Sequence, residues 1–121
     1  MQTKHFDARL ARGATSLTLS LSGMADLGVQ SEFQTFVQEV DAEALRLHVN
    51  EVILEMTKLS FMNSTCFKYL CSWLGRVDGR KPQERYRFRL LSSNKQHWQR
   101  RSLHALRGFA PDLVEIDVEP E

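Results

Sequence analysis

The residues best placed to do chemistry in this 121-residue chain lie between Leu59 and Lys68, in the stretch Leu-Ser-Phe-Met-Asn-Ser-Thr-Cys-Phe-Lys. An apolar turn, Phe61-Met62, leads into Asn63, Ser64 and Thr65, and residues at helical spacing follow at once. Amide and hydroxyl side chains at a helix start accept hydrogen bonds from the free backbone N–H groups of the first turn, so Asn63 or Ser64 suits an N-cap. The same N–H groups and the helix dipole welcome an anion, which gives Ser64, and second Thr65, another reading as acceptors of a phosphoryl group. Phosphorylation there would add roughly −1.5 to −2 charge. Other chemistry finds less support. Cys66 and Cys71 are five apart and match neither a redox Cys-x-x-Cys nor a zinc spacing, and Cys71 falls on an apolar stripe with Leu70 and Leu74. His97 and His104 share one side of a helix with no nearby Cys, Asp or Glu to complete a metal set. No glycine-rich phosphate loop is present. These residues predict no catalytic group, no metal site and no cofactor, and so a binding protein, not an enzyme.

The elements that must position Ser64 are legible from periodicity. Leu17, Leu19 and Leu21 alternate with Thr18, Ser20 and Ser22, the period of a half-buried strand, and Phe6, Ala8 and Leu10 before the Arg12-Gly13-Ala14 turn complete a hairpin. Ser31 and Gln34 form a capping box that starts a helix carrying Phe33, Phe36, Val37 and Val40. Val49 to Met56 reads as a central strand covered on both faces. A second helix carries Phe67, Leu70, Cys71, Leu74 and Val77, with Trp73 on its flank, and the charged segment from Gly75 to Gln83 is the expected flexible loop. Glu84 to Leu91 reads as a strand with Arg85, Arg87 and Arg89 outward, which requires either an edge position or a sheet face without a helix. Ser92 to Asn94 would cap a third helix with Trp98, Ser102, Ala105, Leu106 and Phe109 on its apolar side. Val114, Ile116 and Val118 form a last strand. The order ββαβαβαβ predicts an α/β layer with a mostly parallel sheet.

Composition narrows the class. With 42% hydrophobic and 26% charged residues the chain matches an ordinary globular domain, and its length suits one domain over residues 1–121. No apolar run approaches the roughly 20 residues of a membrane span, and the N-terminus carries Lys4, His5, Asp7 and Arg9 in place of an apolar signal core. A cytoplasmic protein without membrane contact is expected. The net charge of +1 hides an asymmetry: Thr65 to Asp112 holds eleven Lys/Arg against three acids. That excess suits either a solvated surface or an acidic partner.

The stretch from Leu59 resembles the signature of the STAS domain family, named from sulphate transporters and anti-sigma factor antagonists. In that family a strand ends in a short apolar turn followed by Asp-Ser-Ser/Thr-Gly at a helix start. Leu19-Ser20-Leu21-Ser22-Gly23 with Asp26 is similar to the family's second strand and its Leu-x-Gly-x-x-Asp-like turn, and the β/α order matches from Phe6 to Val118. The resemblance implies a STAS-like α/β fold, a mixed, mostly parallel sheet of about five strands packed with three to four helices. It places Asn63 at the family's Asp, Ser64 at the serine phosphorylated in anti-sigma factor antagonists, Thr65 at the following Ser/Thr, and Cys66 at the usual Gly. It further implies a bacterial partner-switching protein, monomeric or weakly dimeric, that binds a serine kinase/anti-sigma factor. On this reading it is phosphorylated at Ser64 and reset by a phosphatase. The docking face would comprise Met24, Asp26, Asn63, Ser64, Thr65, Cys66 and Lys68. Asn63 and Cys66 depart from the pattern, so a constitutive scaffold or adaptor, or a regulator of a nucleotide cyclase, stands as the alternative. A third reading has the basic helix around Arg100 and Arg101 hold a nucleic acid or a nucleotide, although nucleic acid is the less expected partner.

Overall fold

A computed structural model describes residue 2 and residues 5–119 of the chain. Strand β1 (Phe6–Arg12) pairs antiparallel with β2 (Ser16–Ala25), in register from Phe6 opposite Gly23 to Arg12 opposite Leu17. Helix α1 (Gln30–Leu47), β3 (Glu51–Met62), α2 (Ser64–Asp78), β4 (Arg87–Ser93), α3 (His97–Arg107) and β5 (Val114–Glu119) follow. The sheet order is β1-β2-β3-β4-β5, and every pairing after the first is parallel. The hairpin and the mixed, mostly parallel five-stranded sheet expected from the sequence are therefore present, with three α-helices and two short 3-10 turns among the described residues.

Stepping from β2 to β5 in one direction with right-handed crossovers puts every helix on the same side of the sheet. Leu17, Leu19, Leu21, Val52, Leu54, Met56, Phe88 and Leu90 point to that side and are buried with Phe33, Val37, Leu70, Leu74, Leu103 and Leu106 of the helices. Their alternates Thr18, Ile53, Glu55, Arg89 and Asp117 are only half-buried, on a face without a helix. β3 is thus covered on one face, not both. β4 lies between β3 and β5, so its arginines are explained by that open face and not by an edge position. Arg89 meets Glu51 at 3.4 Å, Asp117 at 3.2 Å and Glu115 at 3.7 Å there. Arg85 lies outside the strand.

Several boundaries differ from the sequence expectation for identifiable reasons. α1 begins at Gln30, ahead of the expected Ser31 cap, because the 3-10 turn Leu27–Val29 leads straight into it; Asp26 caps that turn, accepting from the Gly28 N–H at 3.0 Å, and α1 itself has no side-chain cap. β3 continues through Phe61 and Met62, because β2 pairs with it as far as Ala25 opposite Met62, across two register shifts. Gly23 sits beside one of those shifts at φ +87°, where a Cβ would lie 2.0 Å from the His5 carbonyl oxygen. Ser92 and Ser93 belong to β4, and α3 starts at His97. Trp73 is fully buried, not on a flank, and its indole N–H donates to the Tyr86 hydroxyl at 2.6 Å. The segment after Gly75 is tied down: α2 runs to Asp78, and Arg80 grips Asp41 of α1.

α3 shows the largest departure. Its inner residues are Gln99, Leu103 and Leu106, whereas Ala105 and Phe109 are exposed and Trp98 and Ser102 only half-buried. The cause lies in β3, which outruns β4: their pairing stops at Glu55 opposite Leu91. The carbonyls beyond that point need donors, since a buried carbonyl left unpaired is costly. Gln99 donates to Met56 O at 2.6 Å and Leu59 O at 3.2 Å, Gln96 to Thr57 O at 3.2 Å, and the Trp98 indole to Leu59 O at 2.9 Å. Gln99 also accepts from the Ser93 N–H at 3.0 Å. Side chains of α3 thus stand in for the strand that β3 lacks.

Candidate functional site

Ser64 is the first residue of α2, where the chain leaves the C-terminal end of β3. Asn63 is the N-cap, with extended backbone, and its Oδ1 accepts from the Cys66 N–H at 2.8 Å. Its Nδ2 donates to Oε1 of Gln30 at 2.7 Å, and its backbone N–H donates to Ala25 O at 2.8 Å. One residue therefore caps α2 and ties it to the start of α1 through its side chain and to the end of β2 through its backbone. A carboxylate in this place could cap but could not donate to Gln30, which gives the asparagine a physical role.

With the cap supplied by Asn63, the Ser64 hydroxyl is exposed and has no hydrogen-bond partner among the described residues. Thr65 is half-buried. Lys68, one helical turn beyond Ser64, is exposed, and an added anion at Ser64 would have both this ammonium and the helix N-terminus in its favour. Met24 lies opposite Phe61 across the parallel ends of β2 and β3. Both are exposed, at 38% and 45%, and Leu27 in the following turn is 79% exposed. Three large apolar side chains with so much free surface, at the same end of the sheet as Ser64, form a surface suited to another protein.

The structure brings together Met24, Asp26, Asn63, Ser64, Thr65 and Lys68 from the expected docking face and removes Cys66 from it. Cys66 is fully buried because position 66 falls on the inner stripe of α2 with Leu70, Trp73, Leu74 and Val77. Burial, and second the negative charge of Asp26, push its thiol up to about 11, so it is a protonated core residue and cannot touch a partner. Cys71 is also buried and its thiol is raised for the same first reason. His97 and His104 are exposed on α3, and no group of three metal-ligating side chains exists among the described residues. Leu27 falls within the Met24 to Gly28 loop expected to flank the docking face, whereas Phe61 is the exposed apolar neighbour that the sequence reading takes only for part of a turn; an apolar strand end was the available signal.

No helix among the described residues is long and apolar enough to cross a membrane. No family model matches the chain, and no curated protein does. Solved structures do. An anti-sigma factor antagonist from Mycobacterium paratuberculosis superposes with a TM-score of 0.65 at 12% identity, over 96% of this chain and 86% of that one. The anti-sigma factor antagonist SpoIIAA in its unphosphorylated form gives 0.58 at 18% identity, over 93% and 90%. The Bacillus cell fate determinant SpoIIAA in its phosphorylated form gives 0.56 at 16% identity, over 93% of both chains. With its hairpin-led, five-stranded mixed sheet and all helices on one face, the chain has the STAS-like α/β fold of the anti-sigma factor antagonists.

Proposed function

We propose that this chain is a non-catalytic signalling protein that binds a serine kinase/anti-sigma factor through the surface around Ser64 and is switched by phosphorylation of Ser64. The observation that carries this reading is the exposed, unpartnered Ser64 hydroxyl at the first position of α2, beside the apolar surface of Met24, Leu27 and Phe61. The fold is shared with a protein solved in both phosphorylated and unphosphorylated forms, which supports control by phosphorylation here. In the free hydroxyl form a partner covers the apolar side chains at little desolvation cost. A phosphoryl group at Ser64 would keep its water, add bulk and negative charge, and weaken a contact built on apolar burial. Asn63 holds the acceptor at the helix start without adding a second negative charge beside it.

The test is a capture experiment from the source cell with wild-type, Ser64→Ala and Ser64→Glu proteins, together with the intact mass of the native chain. A native mass raised by one phosphoryl group, lost in Ser64→Ala, and a partner retained by Ser64→Ala but released by Ser64→Glu are expected. An unmodified native chain with the same partners in all three forms would replace the switch by a constitutive scaffold.

A further inference from the structure

At the opposite edge of the sheet from β1, helix α3 and strand β5 enclose a groove of about 560 Å³. Its floor includes Leu103, Ile116 and Val118, and its helix wall presents His97, Arg100 and His104 at helical spacing. The charge of that wall is not answered inside the molecule. From Arg85 to Pro111 the chain has no Asp or Glu. Lys95, Arg100, Arg101 and Arg107 are all exposed, and none has a carboxylate partner among the described residues. By contrast Arg12, Arg46, Arg80 and Arg89 each meet one. α3 also has no acid in its first turn and no side-chain cap at Gln96, so its cations near the N-terminal end oppose the helix dipole. Local rules broken in this way without internal compensation are found where another molecule supplies the missing charge.

We propose that this groove is a docking site for an extended acidic segment of a partner protein, laid along the free edge of β5. β5 is the last strand of the sheet, and its outer backbone edge has no partner strand among the described residues. A strand added there turns alternate side chains toward the helix side of the sheet, over Ile116 and Val118, where acidic residues meet Arg100 and His104 and apolar residues meet the floor. Charge complementarity selects the occupant. A nucleic acid is disfavoured because the floor of Leu103, Ile116 and Val118 is apolar and would desolvate a phosphate backbone without pairing it, whereas a peptide can set apolar side chains there. A second copy pairing β5 with β5 is disfavoured because it brings no acid to Arg100 and His104: Glu115 and Asp117 belong to the sheet face away from the groove, where Arg89 meets both.

The test uses full-length protein and a fluorescein-labelled peptide, Thr-Glu-Thr-Val-Thr-Glu-Thr, whose alternate residues match the groove, followed by fluorescence anisotropy. A peptide with Lys in place of Glu and a short duplex DNA serve as competing probes. The acidic peptide is expected to bind, to weaken as salt rises, and to lose about tenfold in affinity with Arg100→Glu/His104→Glu and with Val118→Asp. Arg9→Glu on the far edge strand should leave it unchanged, and a denaturant midpoint confirms that each variant folds. Equal binding to wild type and Arg100→Glu/His104→Glu would overturn the proposal. So would DNA binding that is tighter than peptide binding and abolished by the same substitutions. Ser64 takes no part in this measurement, so its outcome is read separately from that of the phosphorylation test.

Discussion

Arg80 and Asp41, 39 positions apart in the chain, meet in a two-point contact with Nη1 2.8 Å from Oδ1 and Nη2 2.5 Å from Oδ2. The Tyr86 hydroxyl donates to the same carboxylate at 2.5 Å and itself accepts from the Trp73 indole. α1, the end of α2 and the entry to β4 are thereby joined through one buried acid. Burial alone would raise the Asp41 pKa, but the hydrogen bonds from Arg80 and Tyr86 and the positive charges of Arg80 and Arg76 outweigh it, and the carboxyl titrates below its ordinary value.

Asp41→Asn should therefore cost about 2–3 kcal/mol near neutral pH, since it leaves the Arg80 guanidinium without its countercharge. Because the folded pKa is depressed, the contribution is fully present above about pH 4 and fades as pH falls through the folded value. Urea midpoints of wild type and Asp41→Asn should converge below pH 4. A gap that stays constant with pH would refute the ionic reading.

Gln99 is a polar residue with no exposed surface, and its side chain serves Met56 O, Leu59 O and Ser93 N–H. Gln99→Met keeps the volume and removes the hydrogen bonds, leaving buried backbone groups unsatisfied. We expect a loss of about 2–3 kcal/mol in chemical denaturation. Ser102→Ala on the same helix, half-buried and with no side-chain hydrogen bond among the described residues, should stay within about 0.5 kcal/mol of wild type.

Asn63 separates the two jobs of the helix start. Asn63→Ala loses both the cap and the Gln30 contact and should cost about 1–2 kcal/mol. Asn63→Asp keeps the cap, gains a charge that suits the helix dipole and loses only the donor to Gln30, so it should lie within about 0.5 kcal/mol of wild type. Thermal melts of the two variants side by side check the order; equal losses would mean that the Gln30 contact dominates.

Native protein at pH 8 should react with a thiol reagent far more slowly than unfolded chain, because both cysteines are buried and the Cys66 thiol is raised to about 11. Both should label at once in denaturant. Prompt labelling of Cys66 in native protein would show that the start of α2 opens readily.

The candidate site was readable where it depends on neighbours in sequence. Ser64 follows a capping residue and precedes the helical spacing of Phe67, Leu70 and Leu74, so a surface hydroxyl at a helix start was visible in residue order alone. Residue order left the cap open between Asn63 and Ser64; the structure gives it to Asn63, whose Oδ1 takes the Cys66 N–H while its Nδ2 is held by Gln30, 33 positions away. Cys66 read as surface by its closeness to Ser64, yet two steps along a helix turn a side chain to the far side, into the core.

By itself the sequence determined the strand period of Leu17, Leu19 and Leu21, the order of the elements, and through one-directional parallel crossovers the kind of sheet they form. These follow from local periodicity, which repeats every two or 3.6 residues and needs no knowledge of distant partners. Tertiary structure alone decided that one sheet face carries no helix, that α3 turns Gln99 inward in place of Trp98, and that Arg80 closes on Asp41. The first follows from the strand order, and the other two depend on hydrogen-bonding groups about 40 positions away. An unpaired buried carbonyl or charge costs more than a misplaced apolar stripe gains, so these distant groups overrule the local pattern.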